Sequence, residues 1–292
     1  MNKQYRTAIE QIKIDAEAYT EEEMKSVYKA QKQELNALEV LVGALFIKYS
    51  IDGLLKMTSK QKADASIKSV LKNMGKKLGN VEVDKTTSIL SDVFKETYYR
   101  NAFVMQSGLD IELKFNILKK EFVDAAVNAK FKGEFFSDRI WSNKGDLIDK
   151  LQAGLTDAMN GKTTIDKLAR DVKNTFNVSA YNSRRLVNTE MARCQADASN
   201  EIANSLGIKR HIWDATLDNL TNPEDASYDG NIYDIDDDSA PSIPNHPSCR
   251  CTWLIEVYEG WSPTSRRDNI TKEIIPYQTY TEWKDSKGIS DN

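Results

Sequence analysis

Apolar residues recur at three- and four-residue spacing through most of this chain and alternate over short runs only towards its end. From Met1 to about Gly207 the pattern is that of helices almost throughout. Between Glu21 and Met57 a charged segment becomes apolar at Leu35, Leu38, Leu41, Ala44 and Leu45, which predicts a long helix with one buried stripe. A core helix is the expectation; a partner-binding coiled coil is the alternative, although the seam is not sustained over several heptads.

Further on the punctuation sharpens. A helix is predicted over about Asp146 to Met159, with Leu147, Ile148, Leu151 and Leu155 on one face, and Asn160-Gly161 supplies a left-handed stop. Thr163 or Thr164 is placed to cap the next helix, whose inward face is Ile165, Leu168, Ala169, Val172 and Phe176. Ser179 is expected to cap a third, longer helix that runs to Leu206 and ends at Gly207.

Past Gly207 short β-prone pieces (Arg210–Trp213, Asn231–Ile235, Thr252–Tyr258) alternate with Asn, Asp, Pro and Ser. The fold class predicted is therefore α+β and predominantly α-helical, ending in a small β-containing unit. The expected organisation is a helical N-terminal region over 1–132, a second domain over 133–258 and a tail over 259–292. The tail keeps Trp261, Tyr277, Tyr280 and Trp283, which favours docking over floating.

With 292 residues, 40% hydrophobic and 29% charged, a sizeable core and a soluble globular protein are expected. A formal charge of −4 argues against a surface that grips nucleic acid all over. One local exception is Lys60 to Lys85, where Lys72, Lys76 and Lys77 are candidate phosphate contacts against the plainer reading of a solvated lysine face. Three cysteines do not make a disulfide framework, so a reducing compartment is expected. The longest apolar run, Val40 to Ile47, is far short of a membrane span, and no membrane contact is expected.

Candidate chemistry concentrates after the long helices. Arg185, Thr189 and Arg193 lie at i, i+4 and i+8 of one helix with Glu190 beside them, either as surface ion pairs or as a polar network anchoring the β unit. From His211 to Cys249 there are nine acidic residues and no lysine or arginine. A calcium loop beginning at Asp234 fails, because Ser239 and Asn245 stand where glycine and glutamate are required. A solvated acidic loop is the expectation, with a metal-dependent nuclease as the alternative. His246-x-x-Cys249-x-Cys251 offers three ligands of the kind Zn²⁺ accepts, with His211, Asp225, Asp229 or Cys194 to supply a fourth. Buried packing of the two thiols is the other reading. No nucleophile elbow, phosphate loop or zinc-protease helix is present, so no enzyme is expected.

Taken in order, these residues resemble the phage head morphogenesis family, the minor head (minor capsid) proteins similar to the F protein of phage Mu. The resemblance rests on Phe136-Ser137-Asp138-Arg139-Ile140-Trp141, then on Arg185-Leu186-Val187-Asn188-Thr189-Glu190-Met191-Ala192-Arg193. It continues through Trp213, Asp218 and Asp229-Gly230, and closes on His246-Pro247-Ser248-Cys249-Arg250-Cys251. It covers about Phe135 to Val257, so the 133–258 domain is expected to be the head-morphogenesis domain. Many members carry a Cys-x-x-Cys where this chain has Asn222 and Asp225, which excludes a four-cysteine metal site here. Two readings of His246, Cys249 and Cys251 remain: a zinc set with Asp225, or a packing motif with no cofactor.

What the resemblance implies is a structural minor head protein in the virion, inside the head near the portal, and in the host cytoplasm during assembly. The implied partners are the portal protein, scaffold or major capsid protein, and phage DNA. The alternatives are a metal-dependent nuclease and a DNA-binding protein of the head. The 1–132 region lies outside the resemblance and is the candidate partner-binding part.

Overall fold

The computed structural model describes residues 2–109, 116–256, 264–268 and 270–288. Helices dominate, as the spacing predicts: α1 (Asn2–Tyr49), α2 (Ser59–Asp64), α3 (Ile67–Leu109), α4 (Lys120–Val127), α5 (Phe136–Met159) and α6 (Ile165–Ser205). Between α1 and α2 lies a small hairpin, β1 (Ser50–Ile51) and β2 (Leu54–Leu55). The first long helix therefore stops at Tyr49 and not at Met57. Asp52 and Gly53 take left-handed backbone conformations, φ 54° and 75°, the signature of an Asp-Gly hairpin turn.

By their contacts the residues divide into two compact units. One comprises Glu21–Thr87 and Lys130–Val187. Its core joins Leu38, Val42 and Leu45 of α1 to Leu71 and Leu78 of α3, Leu147, Leu151 and Leu155 of α5, and Leu168, Val172 and Phe176 of α6. The apolar stripe of α1 is thus a core stripe. Three expected members turn outward: Ala44, Ile165 and Ala169 are exposed, Ile165 as the first residue of α6. Two glycines of α3 let α5 come close. A Cβ at Gly79 would stand 2.1 Å from Trp141 Cζ3, and one at Gly75 would stand 2.7 Å from Ile148 Cγ1.

The same unit holds a buried ion pair, Lys144 Nζ to Glu82 Oε2 at 2.6 Å, with both side chains 1% exposed. Lys144 also donates to the hydroxyls of Ser179 and Ser183, each at 3.2 Å. Ser179 is therefore no helix cap. It sits within a helix that continues from Ile165 to Ser205 without a glycine or proline to break it. The Thr164 hydroxyl accepts from Lys167 N at 3.4 Å, and Gly161 at φ 74° follows the end of α5.

The other unit comprises Met1–Thr20, Ser88–Ala129 and Asn188–Asn292. Within it α6 is buried on nearly every side from Asn188 onward, and its Ala192, Ala196, Ala198 and Ala203 admit neighbours at short range. After α6 come β3 (Arg210–Asp214), α7 (Pro223–Tyr228), β4 (Ile232–Asp234), β5 (Thr252–Ile255), β6 (Ser265–Arg267), β7 (Ile274–Pro276) and α8 (Tyr280–Ser286). The three predicted strand regions form one antiparallel sheet of order β4-β3-β5, with Trp213 opposite Trp253 and His211 opposite both Tyr233 and Ile255. The expected end of β5 at Tyr258, and Trp261 of the tail, lie outside the described residues. Tyr280 and Trp283 of α8 are buried with Leu217.

Candidate functional site

The first group of motif residues lies on α6. The Thr189 hydroxyl accepts the backbone N–H of Ser248 at 2.9 Å. Arg193 is buried, and its guanidinium donates to Glu190 at 2.8 Å, Asp197 at 2.8 Å, the carbonyls of Ala126 and Val127 at 3.0 Å each, and Cys194 Sγ at 3.5 Å. Those carbonyls end α4, where helical partners run out and a cation is favoured. Arg185 lies outside this group; it is exposed, with its guanidinium 5.9 Å from the centre of the Tyr181 ring.

A second group ties together the irregular segment after β3. Asp218 pairs with Arg250 at 2.6 Å and accepts Leu220 N at 2.9 Å. Asp229 is 8% exposed and serves several donors at once. It accepts from Ala215 N at 2.9 Å, Tyr280 N at 2.7 Å and Arg266 Nη1 at 2.6 Å. Arg266 also reaches Asp214 at 3.2 Å and the Ala215 carbonyl at 2.6 Å. Gly230 follows Asp229 with φ 83°, and a Cβ there would meet the Tyr277 hydroxyl at 2.7 Å, so both backbone and space call for glycine. Trp213 is fully buried, edge-on to Tyr228 at 5.3 Å and to Trp253 at 5.1 Å.

The third group converges on one oxygen. Asp225 Oδ2 lies 2.8 Å from His246 Nε2, 3.2 Å from Cys251 Sγ and 3.4 Å from Cys249 Sγ. Asp225 Oδ1 accepts from Asn245 Nδ2 at 3.1 Å. Asp225 comes from α7, which Asn222 caps through Glu224 N at 2.9 Å, and Pro223 opens. Pro247 offers its carbonyl to His246 Nδ1 at 3.0 Å. The hydrogen bond between the two thiols draws Cys249 down to about 7 against the pull of burial, and pushes Cys251 upward with burial adding to it. Burial lowers the His246 imidazole, but the Pro247 carbonyl and the Asp225 carboxylate outweigh it and raise the net value.

Of the four residues weighed as a fourth ligand, Asp225 is the one brought to the cysteines. His211 is stacked face to face on Trp253 at 3.6 Å, and burial pulls its imidazole down to about 4. Asp229 is held by Arg266, and Cys194 is buried within α6, where desolvation pushes its thiol up to about 12.

The expectation of a solvated acidic loop needs correction. Asp214, Asp218, Asp225 and Asp229 are buried, because each meets a cation or imidazole from outside the acidic stretch or from its far end, while Asp234, Asp236, Asp237 and Asp238 are exposed as expected. In the other unit, Arg139 donates to the Phe131 carbonyl and pairs with Glu134 at 3.2 Å, and Trp141 covers Gly79. Lys72, Lys76 and Lys77 are exposed on α3, with Lys77 committed to Glu34 at 2.5 Å.

Residues 149–254 match a family model described as Phage Mu protein F like protein. Over this span the chain is similar to the phage Mu F-like proteins. The Mu F-like span contains Thr189, Asp218, Asp225, Asp229, His246 and both closing cysteines. Two curated relatives are similar over longer stretches. One, named NAD(+)--arginine ADP-ribosyltransferase EFV, from Enterococcus faecalis, is 26% identical over 225 residues, covering 70% of this chain and 46% of that protein. The other, an uncharacterized protein of Haemophilus influenzae, is 23% identical over 184 residues, covering 62% of this chain and 40% of that protein. The chain thus spans less than half the length of these relatives. No solved structure matches. Among the described residues no helix is long and apolar enough to cross a membrane.

Reading the sequence missed Arg266 and Asp268. Asp268 is fully buried and accepts from Lys287 at 2.8 Å, Trp283 Nε1 at 3.1 Å and Ile270 N at 2.8 Å. Burial works against its ionisation, yet these donors hold the carboxyl well below the usual range. The available signal was charge balance: an acidic stretch without a base, if it folds, takes its cations from just beyond its own ends, as Arg250 and Arg266 do here.

Proposed function

We propose that this chain is a structural minor head protein of a tailed phage or prophage, which joins the portal during procapsid assembly and remains inside the head. The observation that carries the reading is the Mu F-like match over 149–254, a span in which Thr189, Asp218, Asp229 and Arg250 are engaged in holding segments together. Residues so engaged act as fasteners and not as a reacting constellation. The portal protein is the proposed partner, with scaffold or major capsid protein and phage DNA beyond it. The proposed contact is the outer side of α1, where Val40 is 73% and Ile47 91% exposed.

Quantitative mass spectrometry of purified particles and procapsids tests this. A few copies per portal ring are expected, and absence from both would overturn the reading. Val40→Asp with Ile47→Asp should lower incorporation without unfolding the chain.

The competing class is an enzyme. Metal-dependent DNA cleavage lost in Asp236→Ala and Asp238→Ala, or transfer of ADP-ribose from NAD⁺ by the purified chain, would replace the structural reading. A direct DNA role predicts binding that weakens steeply with salt and again in the triple change of Lys72, Lys76 and Lys77 to glutamate.

A further inference from the structure

We propose that Asp225, His246, Cys249 and Cys251 hold one divalent cation of the zinc type, as a structural clamp on the loop that closes the small sheet. The proposal is independent of the head-assembly reading. Asp225, Cys249 and Cys251 are buried at 2%, 2% and 5% exposure, and one ligand atom from each lies within 4.8 Å of the others. Three donors from a second segment crowd a single carboxylate oxygen, at 2.8, 3.2 and 3.4 Å.

The donor set and its spacing fit the ion. Tetrahedral bonds of about 2.0–2.3 Å put neighbouring ligand atoms about 3.3–3.8 Å apart. The two sulfur-to-oxygen separations already fall at or just below this range, whereas the imidazole, outside the group within 4.8 Å, has to swing from its hydrogen bond with Asp225 towards the sulfurs to complete the set. Two thiolates, a carboxylate and an imidazole are a mixture that a borderline cation accepts, whereas Mg²⁺ or Ca²⁺ would ask for oxygen throughout.

The surroundings are those of a supported ligand set. His246 Nδ1 is 3.0 Å from the Pro247 carbonyl, so donating its proton there frees Nε2 to act as a ligand. The other Asp225 oxygen is fixed by Asn245 at 3.1 Å. Ser248, between the histidine and the first cysteine, has φ 61°, a conformation uncommon for a residue with a side chain, and its N–H is held by Thr189. An ion here fastens α7 to the start of β5, and Ser248 passes that restraint on to α6.

The test is metal analysis of the full chain purified without chelator, followed by exchange for Co²⁺. One equivalent of zinc per chain is expected. The cobalt form should show the intense visible bands of a tetrahedral site and a thiolate-to-cobalt charge-transfer band in the near ultraviolet. Chelation should lower the thermal midpoint. Cys249→Ser and Cys251→Ser should each weaken the charge-transfer band and the binding, the two together should abolish both, and His246→Asn should weaken binding at least tenfold. Because a cysteine variant can fail by misfolding, Asp225→Cys is the complement: it should retain one cobalt per chain with a stronger charge-transfer band. A folded chain that takes up no cobalt overturns the proposal, as does a cobalt spectrum unchanged by Cys249→Ser. Recovery of Cys249 and Cys251 as a disulfide from freshly purified protein would overturn it as well.

Discussion

The hydroxyl of Thr189 accepts the backbone N–H of Ser248 at 2.9 Å, joining positions 59 residues apart. The bond fixes a loop residue with left-handed backbone against a buried helix. Thr189→Val keeps the shape and removes the acceptor, leaving a partly buried N–H unsatisfied. It should cost about 1–3 kcal/mol in urea unfolding, and Thr189→Ser should recover most of the loss.

Asp229 and Arg266 form a pair in which both side chains are 1% exposed. Removing the carboxylate with Asp229→Ala strands a buried guanidinium and two backbone N–H groups, with Asp214 as the remaining charged partner. The expected loss is about 3–5 kcal/mol, read as a shift in the denaturant midpoint.

The Glu82–Lys144 pair is a second buried case, in the other unit. Glu82→Ala alone should destabilise by about 3–5 kcal/mol. Glu82→Leu combined with Lys144→Met should recover much of that loss, because a paired charge removed on both sides leaves no orphan. A double variant no better than the single one would show that the serines around the pair, with Gln31 donating to Ser183 at 3.1 Å, set the cost and not the charges.

At Gly79 a methyl group would collide with the ring of Trp141. Gly79→Ala should lower stability by about 1–3 kcal/mol even though alanine favours helix, and Trp141→Leu should relieve part of the effect. Thermal unfolding of the two single variants and the double variant gives the coupling directly.

His211 is neutral in the folded chain down to about pH 4, against an ordinary value of 6.5. A depressed imidazole favours the folded state above 6.5, and that advantage declines as the pH falls from 6.5 towards 4. Up to about 3 kcal/mol should be lost across this window. The thermal midpoint measured between pH 7 and pH 4 should have a shallower slope in His211→Phe.

Large residues at helical spacing made α5 and the β strands legible, since Leu147, Leu151 and Leu155 can serve only one face and the Trp213 and Trp253 runs are too short for helices. Ser179 misled because a capping residue and a buried hydrogen-bonding residue look alike until the partner, Lys144, is known. Ala44 and Ala169 misled because alanine is as content outside a helical core as within it. The motif residues from Thr189 to Cys251 stood out as types, but their pairing depends on which segments meet, and spacing along the chain does not encode that. Asp225 was one of four candidate ligands by type, and α7 is what carries it to the cysteines.

The anchoring of Tyr280 N and Arg266 on Asp229 also limits how this chain can be joined to anything else. The family match ends at 254, but a junction placed directly after β5 would cut the Mu F-like span away from the cation and the helix start that satisfy the buried Asp229 carboxylate. A tolerated fusion point lies beyond α8, where added sequence would leave Asp229 its partners.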